Sequence, residues 1–154
     1  MNDVTLRVIG TVRNGRTTLD DLGWGAVESM ITVKPEFVAA LTGLETFSHV
    51  WVVFFMNVDP LEEAPAVIRR PRGRDDMPMV GVFAQRGRMR PNPVGITAAE
   101  IVRLETGCVV VRGLDAISGT PVLDLKPYVP DFDRRRATVP EWMDRLMEGY
   151  FSES

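Results

Sequence analysis

Hydrophobic positions alternate along much of the chain with the period of a half-buried strand. In "VTLRVIGTVR", Val4, Leu6 and Val8 alternate with polar neighbours. In "AVESMITV", Val27, Ser29, Ile31 and Val33 fall on one face, with Glu28, Met30 and Thr32 on the other. "FSHVWVVFFMN" is apolar on both faces and rich in β-branched and aromatic residues, which predicts a central strand. "MVGVF", "VGITAAEIVRLE", "CVVVRGLD" and "PVLDLKPY" continue the series. Turn signals fall between them at Asn14-Gly15, Thr106-Gly107 and Ser118 to Pro121. Two helices are predicted. One begins at Pro35 and stops at Gly43. The other, about 139–150, opens at "TVPE", where Thr138 and Glu141 have capping-box spacing. Its Trp142, Leu146 and Tyr150 recur every four residues, a packing stripe for the barrel or a second subunit. Many short strands and few helices predict a mainly β fold: one small antiparallel β-barrel domain over 1–154.

The connection from Val58 to Met79 is the exception to short loops. It holds "RRPRGRDD" and prolines at 60, 65, 71 and 78, and its length suggests a flap over a site. The composition fits a soluble globular protein, 45% hydrophobic and 25% charged, with no apolar run of membrane-span length. The N-terminus lacks the pattern of a signal peptide, so a cytoplasmic location is expected. Cys108 sits in a buried-strand pattern and reads as a small core residue. With a single cysteine and a single histidine, His49, no zinc cluster is expected. His49 lies among Phe47, Val50 and Trp51 and reads first as a satisfied core histidine, second as a general base.

The net charge of −3 does not advertise a nucleic-acid binder, but its distribution is uneven. Only Lys34 and Lys126 are lysines, and arginines crowd at 69–74, 86–90 and 134–136. This suggests local anion sites. Within "FAQRGRMRPNPVGIT", an extended backbone would put Arg86, Arg88 and Arg90 on one side. Guanidinium binds carboxylate or phosphate in a fork. Pro91 and Pro93 fix the backbone around Asn92, and Gly95 permits close approach of a backbone or ligand. The segment reads as a wall for an anionic or zwitterionic ligand, or else as a proline-stiffened edge loop with solvated arginines.

"FSHVWVVFF" followed by "RGR", then "VGVFAQRGRMRPNPVGIT", then "GLDAISGTPVLDLKPY" resembles, in order, the hallmark segments of the TsaA/TrmO family, also called YaeB-like. The match runs from about Val8 to Tyr128. The resemblance implies a small β-barrel methyltransferase that uses S-adenosylmethionine without a Rossmann fold. It also implies a homodimer with sites near its interface, acting on the exocyclic nitrogen of threonylcarbamoyladenosine beside the anticodon of a tRNA. Carried over by position, Arg86 contacts the cofactor, Ile96 lines the adenosyl pocket, and Leu114, Asp115 and Ala116 offer backbone bonds. Asn57 stands where many members have histidine and is carried over as a cofactor-binding residue whose side chain keeps a hydrogen bond there. Where many carry "RQP", this chain has "DDLGWG", whose Trp24 is a candidate to stack on adenine. "QRGRM" in place of "TRSPF" marks a divergent subgroup, and the chain ends at Ser154 without the extra C-terminal domain of longer members.

Methyl transfer needs no metal, because the sulfonium methyl is already electrophilic; alignment of the acceptor can contribute roughly 7–11 kcal/mol. Strand alternation sets Asp124, Lys126 and Tyr128 on one face, opposite Leu123 and Leu125. They are the catalytic candidates: Asp124 as base or orienter, Lys126 for a phosphate or carboxylate, Tyr128 for stacking or hydrogen bonding. Asp124 paired with Lys126, and Tyr128 as rim packing, is the plainer alternative. Arg88, Arg90 and Asn92 are the substrate-binding candidates. The competing function is a barrel that binds S-adenosylmethionine or RNA without catalysis, or that methylates a small molecule.

Overall fold

The computed structural model describes residues 2–56 and 67–152. Asn57 and the part of the 58–79 connection up to residue 66 lie outside them. In chain order the strands are β1 (Gly10–Arg13), β2 (Glu28–Val33), β3 (His49–Phe55), β4 (Ile68–Arg69), β5 (Val80–Gly81), β6 (Val94–Glu105), β7 (Cys108–Arg112) and β8 (Pro121–Pro127). Six of them close an antiparallel barrel in the order β1, β2, β7, β6, β3, β8, while β4 and β5 form a separate hairpin. Two short helices follow, α1 (Pro130–Asp133) and α2 (Glu141–Leu146).

The alternation seen in the sequence builds this barrel. Ser29, Ile31 and Val33 of β2 are buried, as their shared face predicts. β3 lies between β6 and β8, so both of its edges are paired. Its Val50, Val52 and Phe54 point inward, and Trp51, Val53 and Phe55 lie half-buried on the outside. With Val12, Ile31, Ala99, Val109, Val111, Leu114, Ala116 and Val122 the inward residues form one continuous core. Burying each branched side chain contributes about 1.5–3 kcal/mol. Cys108 is buried in β7, as its surroundings predict, and burial pushes its thiol pKa up. Gly95 pairs with Phe54, and a Cβ there would lie 2.5 Å from the Phe54 Cζ. The absence of a side chain therefore admits an aromatic ring of the core, not a ligand.

Several expectations are corrected. The first strand begins only at Gly10; Val4 and Leu6 are 80% and 60% exposed. A pattern of alternation without a partner strand is not enough to make a ladder. "MVGVF" contributes two strand residues and then a 3-10 turn at Val82–Ala84. The helix expected at Pro35 is a 3-10 helix, Pro35–Leu41. The C-terminal helix spans Glu141–Leu146 instead of about 139–150, and its cap position is Pro140 with no side-chain cap bond. It stops early because Gly149 takes φ +70°, which turns the chain so that residues 149–151 hydrogen-bond residues 23–25 instead of continuing the helix.

Candidate functional site

β6 is paired on both sides for only part of its length. Its ladder with β3 runs from Val94 to Glu100, whereas its ladder with β7 runs from Glu100 to Glu105. The part before Glu100 therefore has one edge free of β7. The chain that leaves β7 is pinned beside that edge by three contacts. Gly113, at φ +88°, donates its N–H to the Val27 carbonyl at 3.1 Å. Thr97 Oγ1 of β6 donates to Asp115 Oδ1. Asn14 Nδ2 donates to the Ala116 carbonyl at 2.8 Å and to Ser29 Oγ at 2.9 Å. Between these pins Leu114 is fully buried, and no hydrogen bond among the described residues engages its N–H or C=O. Buried backbone groups are nearly always paired, so the unpaired Leu114 peptide beside the free edge of β6 is the backbone group here that lacks a polar partner.

Arg86 reaches the same edge. Its Nη2 donates to the Ile96 carbonyl at 2.6 Å, and Ile96 is 43% exposed on the outer face. The expected one-sided arginine comb does not form, because residues 85–93 follow a series of bends and not an extended strand. Arg90 folds back, with Nη1 donating to the Gln85 carbonyl at 2.7 Å and the Gly87 carbonyl at 3.3 Å. Arg88 is exposed and makes no side-chain hydrogen bond or ion pair among the described residues. Asn92 is exposed, and its carbonyl accepts the Val94 N–H at 2.7 Å. The side chain of Gln85 clamps this segment to the β4–β5 hairpin, donating from Nε2 to the carbonyls of Arg69 at 2.9 Å and Val80 at 3.1 Å.

A C-terminal strap completes the edge. Gly23, Trp24 and Gly25 donate their N–H groups to the carbonyls of Gly149, Tyr150 and Phe151 at 2.9, 2.8 and 2.8 Å. Tyr150 donates its hydroxyl to Asp115 Oδ2, so both oxygens of that carboxylate accept O–H donors. Burial, then the Asp115 charge, drives the Tyr150 phenol pKa well above its ordinary value, which keeps it a donor. Arg72 ties the strap down: Nη1 donates to the Leu146 carbonyl at 2.7 Å, Nε lies 3.4 Å from Asp21 Oδ1, and Cζ is 5.3 Å from the Tyr150 ring.

The acceptor-side candidates occupy the outer face of β6, β3 and β8. Val53 is the cross-strand partner of both Ile96 and Asp124, and Trp51 of both Ala98 and Lys126. Tyr128 donates its N–H to the His49 carbonyl at 3.0 Å and packs beside the rings of Trp51 and His49 at 5.8 and 6.2 Å. Asp124, Lys126 and Tyr128 thus share one face with Ile96; Asp124 lies two strand spacings away, about 9.5 Å, and Lys126 and Tyr128 lie further along the strand. Leu125 pairs with the buried Val52, while Leu123 falls where the β3–β8 register shifts. Lys126 Nζ lies 3.0 Å from Asp124 Oδ2, and Asp124 Oδ1 accepts the Leu125 N–H at 2.9 Å. Both Asp124 oxygens are therefore engaged.

Other candidates fall elsewhere. Trp24 is 1% exposed, donates Nε1–H to the Asp20 carbonyl at 2.7 Å, and carries the Arg16 guanidinium over its ring at 4.8 Å. In this arrangement it is a core residue with no ring face open for stacking. His49 is exposed, with Nδ1 2.8 Å from Ser48 Oγ, and so is not a core histidine. Of the arginine clusters, Arg70 and Arg72 bind backbone carbonyls and Arg74 pairs with Asp76 at 2.6 Å, while Arg134 and Arg136 are exposed. Sequence reasoning missed Asn14, Thr97 and the polar role of Tyr150. Asn14 lies in a turn dipeptide and Thr97 in an alternating strand, and neither signals a site. Tyr150 carried one signal, a hydroxyl on an otherwise apolar stripe.

The family of the tRNA-methyltransferase O N-terminal domain matches residues 21–134. A Methanothermobacter thermautotrophicus protein described as a probable S-adenosyl-L-methionine-binding protein is 39% identical over 140 residues, covering 86% of this chain and 97% of that one. A Rattus norvegicus tRNA (adenine(37)-N6)-methyltransferase is 36% identical over 133 residues, but the match spans only 30% of its length. Among solved structures, TrmO from Pseudomonas aeruginosa superposes with a TM-score of 0.74 at 29% identity, covering 94% of this chain and 63% of that one.

Proposed function

The chain belongs to the tRNA-methyltransferase O N-terminal domain family, and on that footing we propose that it is an S-adenosylmethionine-dependent methyltransferase acting on the exocyclic nitrogen of adenosine 37 in tRNA, in its threonylcarbamoyl form. The observation that carries this reading is the β6 edge. There Arg86 bonds the carbonyl of the exposed Ile96, and the next residue, Thr97, bonds Asp115, which adjoins the buried, unpaired peptide of Leu114. These groups fit the cofactor: backbone N–H and C=O suit the edge of an adenine, the Ile96 side chain suits its face, and Arg86 suits the carboxylate end. When bound, the cofactor supplies an electrophilic methyl group and leaves as S-adenosylhomocysteine.

The chain's own residues supply position and proton handling. The acceptor nitrogen must give up a proton as the new N–C bond forms. Asp124 and Lys126, held as a pair, serve to orient the acceptor and take part in that proton's removal, and the Trp51–Tyr128 surface suits a stacked base. Arg88, Arg134 and Arg136, without acidic partners among the described residues, suit acceptor phosphates. A homodimer belongs to the same reading. It is supported by the half-buried outer positions Phe55 and Val94, and by a hairpin region exposing Val67, Ile68, Met79 and Phe83. The cytoplasm, where tRNA resides, follows from that substrate; among the described residues no helix is long and apolar enough to cross a membrane.

The test is calorimetry with S-adenosylmethionine and S-adenosylhomocysteine, followed by methyl incorporation into total tRNA from cells lacking the activity, at two salt concentrations. Both ligands should bind, tRNA should be methylated, and incorporation should fall steeply with salt. Lys126→Ala and Tyr128→Ala should lower transfer with cofactor affinity nearly unchanged. Cofactor binding without methylation of any RNA would instead favour the reading suggested by the Methanothermobacter relative's description: a barrel that binds the cofactor as a sensor.

A further inference from the structure

We infer that Tyr150 is a positioning residue of the cofactor site, and that the C-terminal strap is thereby a working wall of that site and not only packing. The inference rests on the cofactor reading above. Tyr150 lies beyond residues 21–134, the span matched by the family, so nothing in that match assigns it a role. The geometry does. The segment Leu114–Ala116 is held at Gly113 by Val27 and at Ala116 by Asn14; in between, the Leu114 side chain packs in the core, and among the described residues the hydrogen bonds are those to the Asp115 carboxylate. That carboxylate has two holders from two different elements, Thr97 of β6 and Tyr150 of the strap. Thr97 belongs to the barrel wall and is always present. Tyr150 arrives only if the strap is docked.

The docking is specific. Residues 149–151 place three carbonyls on the N–H groups of Gly23, Trp24 and Gly25. Gly25 allows this approach, since a Cβ there would meet the Phe151 carbonyl oxygen at 2.1 Å. Arg72 bonds the end of α2 and lies beside the Tyr150 ring. Arg72 itself sits at φ +54°, a conformation a non-glycine residue adopts only when its surroundings require it. The Phe151 ring meets Tyr150 edge-on at 4.8 Å. These contacts aim one hydroxyl at one carboxylate oxygen. Burial and the Asp115 charge hold the phenol's proton, so the hydroxyl is the donor in this bond. With both oxygens held, Asp115 keeps the unpaired Leu114 peptide in register for the adenine edge. With one holder lost, the carboxylate can rotate about its remaining bond and the peptide loses its fixed position.

The experiment compares Tyr150→Phe, Asp115→Ala and the double variant with the unmodified chain. Thermal unfolding without ligand and calorimetry with S-adenosylhomocysteine are read for each. Tyr150→Phe keeps the ring, its contact with Phe151 and the backbone docking, so the fold should survive. Its dissociation constant should rise roughly fivefold to tenfold. The same change in an Asp115→Ala background should have almost no further effect, because the hydroxyl acts through that carboxylate. Asp115→Asn keeps one accepting oxygen and puts an NH2, which can only donate, in place of the other, so it should recover part of the affinity lost in Asp115→Ala. A lowered melting temperature with unchanged affinity in Tyr150→Phe overturns the inference and leaves Tyr150 a packing residue. Additive losses in the double variant overturn it as well. If the unmodified chain binds no S-adenosylhomocysteine, the cofactor reading itself fails, and this inference falls with it.

Discussion

Gly25→Ala is the most economical way to undock the strap without touching any residue of the site. A Cβ at Gly25 would lie 2.1 Å from the Phe151 carbonyl oxygen and 3.0 Å from its carbonyl carbon. Ordinary contact begins near 3.4 Å, so the two backbones must part by more than 1 Å. At 2.8 Å the Gly25–Phe151 hydrogen bond cannot survive that displacement, and the neighbouring bonds of Trp24 and Gly23 at 2.8 and 2.9 Å are stretched with it. Each is worth about 1 kcal/mol net, so the three together set a loss of roughly 3 kcal/mol. For a domain of this size that corresponds to about 6–12 °C in melting temperature if the strap unfolds with the barrel. If the strap opens by itself, the melting temperature moves less. The loss then appears as faster hydrogen exchange at the amides of 23–25, with the barrel amides still protected. Gly15→Ala is the control: nothing lies within 4 Å of a Cβ there. Melting and hydrogen exchange read by mass spectrometry decide the matter. If Gly25→Ala leaves both unchanged, the close approach is not real and the strap argument is wrong.

Arg86→Ala should weaken S-adenosylmethionine binding roughly tenfold to a hundredfold while the melting temperature stays put, because the side chain is exposed and, among the described residues, bonds only the Ile96 carbonyl; unchanged calorimetric affinity would remove it from the site. Gly95→Ala should destabilise the barrel by about 1–3 kcal/mol in urea unfolding, since a Cβ would press into the Phe54 ring at 2.5 Å. Absorbance titration should find one of the two tyrosines resisting ionisation until the chain unfolds. Because the folded Tyr150 phenol holds its proton above the ordinary value, the unfolded chain binds fewer protons once pH passes about 10, so stability falls as pH rises beyond that point. In Tyr150→Phe that part of the alkaline loss should vanish.

The barrel was legible because strands write their faces into the sequence. "AVESMITV" and "FSHVWVVFF" each gave a buried face that the structure keeps, Ser29/Ile31/Val33 and Val50/Val52/Phe54. The N-terminal alternation at Val4 and Leu6 failed because a strand is a relation between two segments, and the partner begins only opposite Gly10. The comb failed for a similar reason. Period-two spacing predicts a shared face only in extended backbone, and Arg86 and Arg90 turn back onto carbonyls of their own neighbourhood. Pairings such as Asn14 with Ala116 and Tyr150 with Asp115 join residues 102 and 35 positions apart, and no local pattern encodes them. Leu114 and Asp115 were reached only through the ordered motifs shared with a family.

Where the site lies follows from how the barrel is filled. Val12, Ile31, Val50, Val52, Val109, Val111 and Val122 occupy its interior at 0–1% exposure, so a nucleoside-sized ligand has no room inside. A ligand must be taken at the surface, and a closed barrel offers little backbone there, because its ladders already use the N–H and C=O groups. Among the described residues the ladders leave edges free on β8 past Val122, on β6 past Glu100, and on the stretch of β6 that β7 leaves before Glu100, the one that Arg86 reaches. Peptide groups are free there, but an open edge neither excludes water nor holds a ligand still. The shelter must be added from outside the ladder. The segment after β7 supplies the unpaired peptide, residues 85–93 supply Arg86, and the strap supplies the hydroxyl that fixes Asp115. All three are irregular backbone; the segment after β7 is anchored in the core by Leu114 and Ala116, while residues 85–93 and the strap are held largely by tertiary bonds. Changes there should therefore reach affinity before they reach the fold, which is why a hydroxyl on the last described turn can matter to a peptide on the opposite side of the chain's sequence.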